Sequence, residues 1–433
     1  MSRINTVDAL KETANLSKLA FWTKYIQILE IVQNVMLSST SHGIPNIIRS
    51  RKLSIKILWS FFTVLSACLC ITLIVSTVLN YLKYEVTTTI RVKNEVNSIF
   101  PAITVCDLSS ISSRNSVVFN ETIWLEKEAR VNLKKNRNYI EFIYSCIFDS
   151  TLCASNRFKY FANPNTGDCY TFNSGLSQNG TPMTPLTSAK IGRFKGLTMF
   201  LNVSSNTKKT GFNGAEVYIH EQRISPLSVE PIAINPGEQT TISIYKTIAK
   251  QKAYPYSDCE DGTENVDAFD SDLFKDLHRT TFLYSQKLCF ELCFHKIMLE
   301  KCKCFARLFT TFEQGSPCLD LFDYSCCLEE YKKFVNSSYS NEICRPRCPQ
   351  ECESISYSKT TSSKKYSNGD LTSLIIHFDS LGYTQIEETP ITDIVGLLSN
   401  IGGLAGLFLG LSVLSFVEIF EIFIEIFHIF NSK

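Results

Sequence analysis

The sequence predicts a two-pass membrane protein of α+β type, with two transmembrane helices flanking a large disulfide-rich extracellular domain that holds a central β-sheet. Three observations predict it. Two uncharged apolar segments stand near the ends of the 433-residue chain, at residues 57–82 and 394–417. Fifteen of the 17 cysteines lie between them. Residues 1–56 carry eight Lys or Arg against three Asp or Glu.

Residues 1–56 are too polar for a signal peptide, and the positive-inside rule keeps them in the cytosol. Residues 57–82, bounded by Lys56 and Lys83, suffice as a helix to cross a hydrocarbon core about 30 Å thick with some tilt. Residues 83–393 then lie outside. The second segment, 394–417, returns the chain, and residues 418–433 form a short acidic-aromatic tail. The expected setting is the plasma membrane, with both termini cytosolic.

Cysteine placement tests that orientation independently. Disulfides persist in oxidising compartments, and neither predicted cytosolic tail holds a cysteine, since the remaining two, Cys68 and Cys70, sit inside the first span. Asn120, Asn179, Asn202 and Asn336 open N-x-S/T sequons in the external region. Asn15 also matches, on the cytosolic side, so the pattern arises by chance as well. The close spacing of Cys289 and Cys293, Cys302 and Cys304, and Cys344, Cys348 and Cys352 raises a zinc module as an alternative. A disulfide ladder fits better, because no CxxC pair occurs and His295 is the one histidine nearby.

The 311 external residues exceed a usual domain and imply subdivisions around a central sheet. Residues 100–106, 197–203, 215–220, 240–245 and 374–378 mix β-branched and aromatic residues as strands do. Residues 281–301 and 328–335 read as helices. Residues 231–237, 258–272 and 358–371 read as loops. A net charge of +1 with 20% charged residues points to no nucleic-acid partner.

The second apolar segment, IVGLLSNIGGLAGLFLGLSVLSFV, holds five glycines that an anchor does not need. Each interior glycine gives up roughly 1 kcal/mol of helix propensity relative to alanine. Gly402, Gly406 and Gly410 fall every fourth residue and share a face that admits close helix approach. Glu418, Glu421 and Glu425 follow at i, i+3, i+7, again on one face. Carboxylates near a membrane need water, so the combination suggests a pore; the bland alternatives are a helix dimer contact and a headgroup anchor.

Motifs along nearly the whole chain resemble the epithelial sodium channel/degenerin family, which includes acid-sensing and peptide-gated channels. His42 and Gly43 resemble its cytosolic His-Gly gating motif. FPAITVC (residues 100–106) and CYTFNSG (residues 169–175) resemble its two extracellular signatures, and YSQKLCFELC, from Tyr284, its thumb helix. GLFLGLS (residues 406–412) contains the family's Gly-x-Ser filter as Gly410, Leu411 and Ser412.

The resemblance implies a homo- or heterotrimer of identical or related subunits, each with a β palm, finger, knuckle, β-ball and helical thumb. It implies pairings of Cys106 with Cys169, Cys146 with Cys153, Cys259 with Cys352, Cys289 with Cys348, Cys293 with Cys344 and Cys304 with Cys318. Cys302 would pair with Cys326 or Cys327, leaving the other free or bridged to another subunit. In the family the Gly-x-Ser stretch interrupts the second helix, so that backbone carbonyls face the ion. Ser399 would hold the degenerin position, Asn400, Ile401, Gly402 and Gly403 the outer gate, and three carboxylates per subunit would place nine around a trimer axis. A bulky replacement of Ser399 is expected to lock the channel open. Tyr84 and Tyr256 would form an aromatic wrist.

These readings give a pore-forming subunit of a sodium-selective, amiloride-sensitive, voltage-independent cation channel in the lipid bilayer. No cofactor is expected, and sodium is the permeant ion. No nucleophile motif or metal box points to an enzyme. The segment after the first span, Lys83, Tyr84 and Glu85, lacks the histidine pair of acid-sensing members. An extracellular peptide ligand or constitutive opening therefore stands ahead of proton gating. The modest interval between Cys106 and Cys169 implies a reduced finger. The alternatives are a non-conducting or regulatory subunit and a two-pass receptor.

Overall fold

The computed structural model describes residues 26, 28–38, 43–110, 139–163, 166–193, 195–203, 214–306, 312, 314–318, 321–365 and 371–431. Two compact units emerge, Thr88–Thr389 and a second made of Met1–Thr87 with Pro390–Lys433.

The larger unit rests on two sheets. The second of them has a central strand, β2 (Ala102–Asp107), that begins just after Pro101 and buries every residue. It is flanked by β8 (Ala215–His220) and β6 (Gly167–Phe172), with β9 (Ile232–Ile234) and β5 (Phe158–Asn163) outside them, in the order β9–β8–β2–β6–β5. Ile103 and Val105 of β2 join Phe100 and Phe172 in the main core. Cys106 joins Cys169 and Tyr218 in a separate cluster. This is the alternation a strand with two packed faces must show.

The other sheet has seven strands in the order β11–β10–β12–β7–β3–β4, with β1 (Val86–Asn94) added along β12. Its strands are β3 (Ile143–Phe148), β4 (Thr151–Leu152), β7 (Leu197–Asn202), β10 (Glu238–Lys250), β11 (Glu353–Lys365) and β12 (Leu371–Pro390). Two loop expectations fail here. Most of residues 358–371 belong to strands, because β11 pairs with β10 from Glu238↔Lys365 to Lys250↔Glu353. As an edge strand it takes the Ser, Thr and Lys that a buried strand would reject. Residues 231–237 also contain a strand, the short β9.

Four helices form the disulfide-stapled part: α3 (Asp272–His278), α4 (Gln286–Cys302), α5 (Leu321–Val335) and α6 (Ser337–Ile343). The helix expected over 281–301 starts five residues later, where Ser285 Oγ accepts from Leu288 N–H and caps it. Bonds from Cys289 to Cys348 and Cys293 to Cys344 tie successive turns of α4 to the segment after α6. Cys302 joins Cys326 of α5, and Cys304 joins Cys318. Cys106–Cys169, Cys146–Cys153 and Cys259–Cys352 complete seven disulfides. Cys327 is a buried free thiol, which burial raises to about 11.

The smaller unit contains α1 (Ile44–Arg49), α2 (Leu53–Tyr81), α7 (Ile394–Leu409) and α8 (Val413–Asn431). By length and composition α2 can cross a membrane, and its apolar side chains are largely exposed. It starts four residues before the expected span. The second apolar segment forms two helices, α7 and α8, meeting at a 76° bend, an interruption at the Gly-x-Ser stretch of the kind the family resemblance implied. Beyond Val417, α8 continues and carries Glu418, Glu421 and Glu425 on the same helix.

Candidate functional site

The helix break is built by one glycine and its neighbours. Gly410 closes α7 with φ 69° and ψ 19°, a left-handed conformation that costs glycine no Cβ clash. Its N–H still reaches Gly406 O at 3.0 Å, while Leu411 N–H reaches Ala405 O at 3.3 Å. Leu411 and Ser412 are non-helical, and Val413 restarts the spiral. Ser412 N–H donates to Ser415 Oγ at 3.0 Å, and Phe408 O accepts from Ser66 Oγ of α2 at 2.6 Å. Sequence reading missed both serines; the available signal for Ser66 was a polar residue inside an apolar span.

The residues read as a gate, Ser399, Asn400, Ile401, Gly402 and Gly403, lie within α7, and all but Ile401 are exposed. A Cβ at Gly402 or Gly403 would meet nothing within 4 Å in this chain. At Gly406 it would meet only Leu411 O, at an ordinary 3.5 Å. Gly396, to which the sequence assigned no role, gives its N–H to the helix cap Asp393 Oδ1 at 2.7 Å, and a Cβ there would crowd that oxygen at 2.9 Å. On α8, Glu421 is exposed and Glu418 and Glu425 are half-buried.

Gly43 precedes α1 and presses on α2. An added Cβ would collide with the Thr63 side chain, so a larger residue at position 43 requires Thr63 or the helix contact to shift. His42 lies outside the described residues. Tyr84 follows α2 in a left-handed turn (φ 51°), its ring 5.8 Å from that of Tyr81. Tyr256 belongs to the larger unit, its N–H bonded to Ala253 O at 3.2 Å. Asn179, Asn202 and Asn336 are exposed, and Asn336 Oδ1 accepts from Ser338 N–H at 3.2 Å. Asn120 is outside the described residues.

A second polar centre, also unread in the sequence, lies at the end of β8. His220 is fully buried, with Nε2 2.8 Å from Thr104 Oγ1 and Nδ1 2.8 Å from Glu221 O. Burial lowers it to about 4, so the ring is neutral at neutral pH. Burial also pushes the Glu221 carboxyl up to about 7, opposed by the positive charge of Lys246. The sulfurs of Cys304, Cys318 and Cys327 lie within 4.8 Å of one another, yet two of the three are consumed in a disulfide and cannot serve as thiolate ligands.

The structure thus defines a disulfide-rich, β-rich domain in one chain with at least one helix able to cross a bilayer. The model of the amiloride-sensitive sodium channel family matches residues 36–138 and 118–422, and the chain belongs to that family. Among relatives, it is similar to the epithelial sodium channel subunit gamma of Neoceratodus forsteri, 28% identical over 66% of this chain and 46% of the relative. Against subunit beta of Rattus norvegicus the figures are 28%, 65% and 47%. Acid-sensing ion channel 1B of Danio rerio is 25% identical over 89% of this chain and 75% of its own length. The chain spans about half the length of the sodium channel subunits it matches. These relatives are ion channels, and the chain is a member of a channel family rather than an enzyme.

Proposed function

We propose that the chain is a pore-forming subunit of a sodium-selective, amiloride-sensitive, voltage-independent cation channel. It crosses the plasma membrane twice with both termini cytosolic and assembles as a trimer of identical or related subunits. One observation carries the reading. The break at Gly410, Leu411 and Ser412 puts non-helical backbone inside an otherwise apolar segment. Such backbone is tolerated at membrane depth only where it is buried in protein or lines a wet path. The exposed glycines Gly402 and Gly403, where an added Cβ would meet nothing within 4 Å in this chain, suit close approach of neighbouring subunits. Glu418, Glu421 and Glu425 supply the negative charge that attracts cations and repels anions. Opening is by an extracellular peptide ligand or is constitutive.

The test is to express the chain alone and record sodium current with and without amiloride, then with a panel of short amidated peptides. Amiloride-blocked current that loses sodium selectivity when Gly410 and Ser412 are replaced is the expected result. Unaltered current after both replacements would refute the filter assignment, and its absence under every condition would shift the role to a subunit that conducts only with a partner.

A further inference from the structure

A helix break at membrane depth leaves orphaned backbone groups, and the partners found for them show what holds the break in place. In an unbroken helix the Phe408 carbonyl would accept from Ser412 N–H. That N–H is taken by Ser415 Oγ at 3.0 Å. The Phe408 carbonyl is taken instead by Ser66 Oγ, at 2.6 Å and from a different helix.

Ser66 differs from the threonines of its own helix. Thr63, Thr72 and Thr77 each donate to the carbonyl four residues back in α2, at 2.8 Å. That is the ordinary use of a hydroxyl in an apolar helix. Ser66 instead reaches across to the last turn of α7, two residues before Gly410. Its surroundings are an apolar cleft lined by Trp59, Phe62, Ala67, Leu409 and Leu411, where a carbonyl without a donor has few alternatives.

We propose that Ser66 is a specificity-determining positioning residue. Its hydroxyl fixes the Phe408 peptide group and so sets where α7 ends and how the Gly410–Leu411–Ser412 backbone enters the filter. The inference rests on the reading of those three residues as the filter. Without the hydroxyl, the Phe408 carbonyl recovers its bond by drawing Ser412 N–H back into a continued helix, or turns toward water and the permeating ion. Either change alters the ring of backbone groups the ion meets.

The test uses the full chain in an expressing cell, with reversal potentials giving the sodium-to-potassium permeability ratio and surface labelling giving the amount at the membrane. Ser66→Ala is expected to lower the ratio roughly two- to tenfold, the range for one lost hydrogen bond. Ser66→Thr, which keeps the hydroxyl, should hold the ratio within about twofold of the parent. Ser66→Cys, a weaker donor, should fall between and stands in if the alanine variant fails to reach the surface. Thr72→Ala removes a hydroxyl of the same helix that bonds within it and should leave the ratio unchanged. A parental ratio in Ser66→Ala overturns the role of Ser66 if Ser412→Ala still shifts selectivity. If neither variant shifts it, or if no form conducts, the filter reading has failed and this inference with it.

Discussion

Gly410→Ala probes the left-handed residue on which the break turns. At φ 69° an alanine Cβ crowds the adjacent carbonyl, at a cost of roughly 1–2 kcal/mol for a non-glycine residue. Straightening into a continued helix relieves that cost and returns the Phe408-to-Ser412 bond. A penalty of that size shifts the ratio of broken to continued helix by about 5- to 30-fold. Side-chain bulk is a separate effect, and a series separates the two. Asparagine tolerates the left-handed conformation better than alanine despite its size, whereas β-branched valine tolerates it least. Backbone control therefore orders the loss of sodium selectivity as Asn, then Ala, then Val. Steric control places Ala first and the larger two together. The assay is the sodium-to-potassium permeability ratio from reversal potentials, normalised for surface expression. The steric order, or a Gly410→Val channel with parental selectivity, refutes the backbone argument.

Three further outcomes follow from the same geometry. Gly43→Val forces a side chain onto Thr63 Oγ1 and should reduce current at unchanged surface level, with partial recovery in the Gly43→Val/Thr63→Ala double variant; current equal to the parent's would show that α1 does not need this contact. Glu221, raised by burial to about 7 against an unfolded value of 4.5, contributes stability fully present below pH 4.5 and lost as pH rises through 7. Glu221→Gln should accordingly raise the thermal midpoint at pH 8, by a stability gain on the order of 3 kcal/mol, and do little at pH 4; an equal shift at both would show that the carboxyl is not desolvated. Alkylation of the denatured, unreduced chain should label Cys68, Cys70 and Cys327 but not Cys326. Cys326→Ser should cost about 3 kcal/mol and Cys327→Ser much less, and label on Cys326 instead would reverse that assignment.

The sequence by itself determined what depends on composition and short-range order. Charge placement and two apolar segments predicted the topology, and the cysteine partition predicted the disulfides that the structure contains. The glycine spacing pointed to close helix approach, and the resemblance of residues 406–412 to the family's filter motif implied an interrupted helix there. Strands with a buried face were legible, since β-branched and aromatic residues at 102–107 and 215–220 pack on both sides. The polar edge strand β11 was not, because its Ser, Thr and Lys residues carry no apolar period and its strand state comes from pairing with β10. Only the tertiary structure decided which of two adjacent cysteines meets Cys302, because their positions on α5 turn Cys326 toward α4 and bury Cys327 as a thiol. It alone set the burial that moves His220 and Glu221 in opposite directions, and the close contact of Gly43 with Thr63. It also placed Ser66, 342 residues from Phe408 in sequence, on the carbonyl that the break leaves open. Local sequence can specify that a helix stops; which distant group satisfies its exposed end depends on packing.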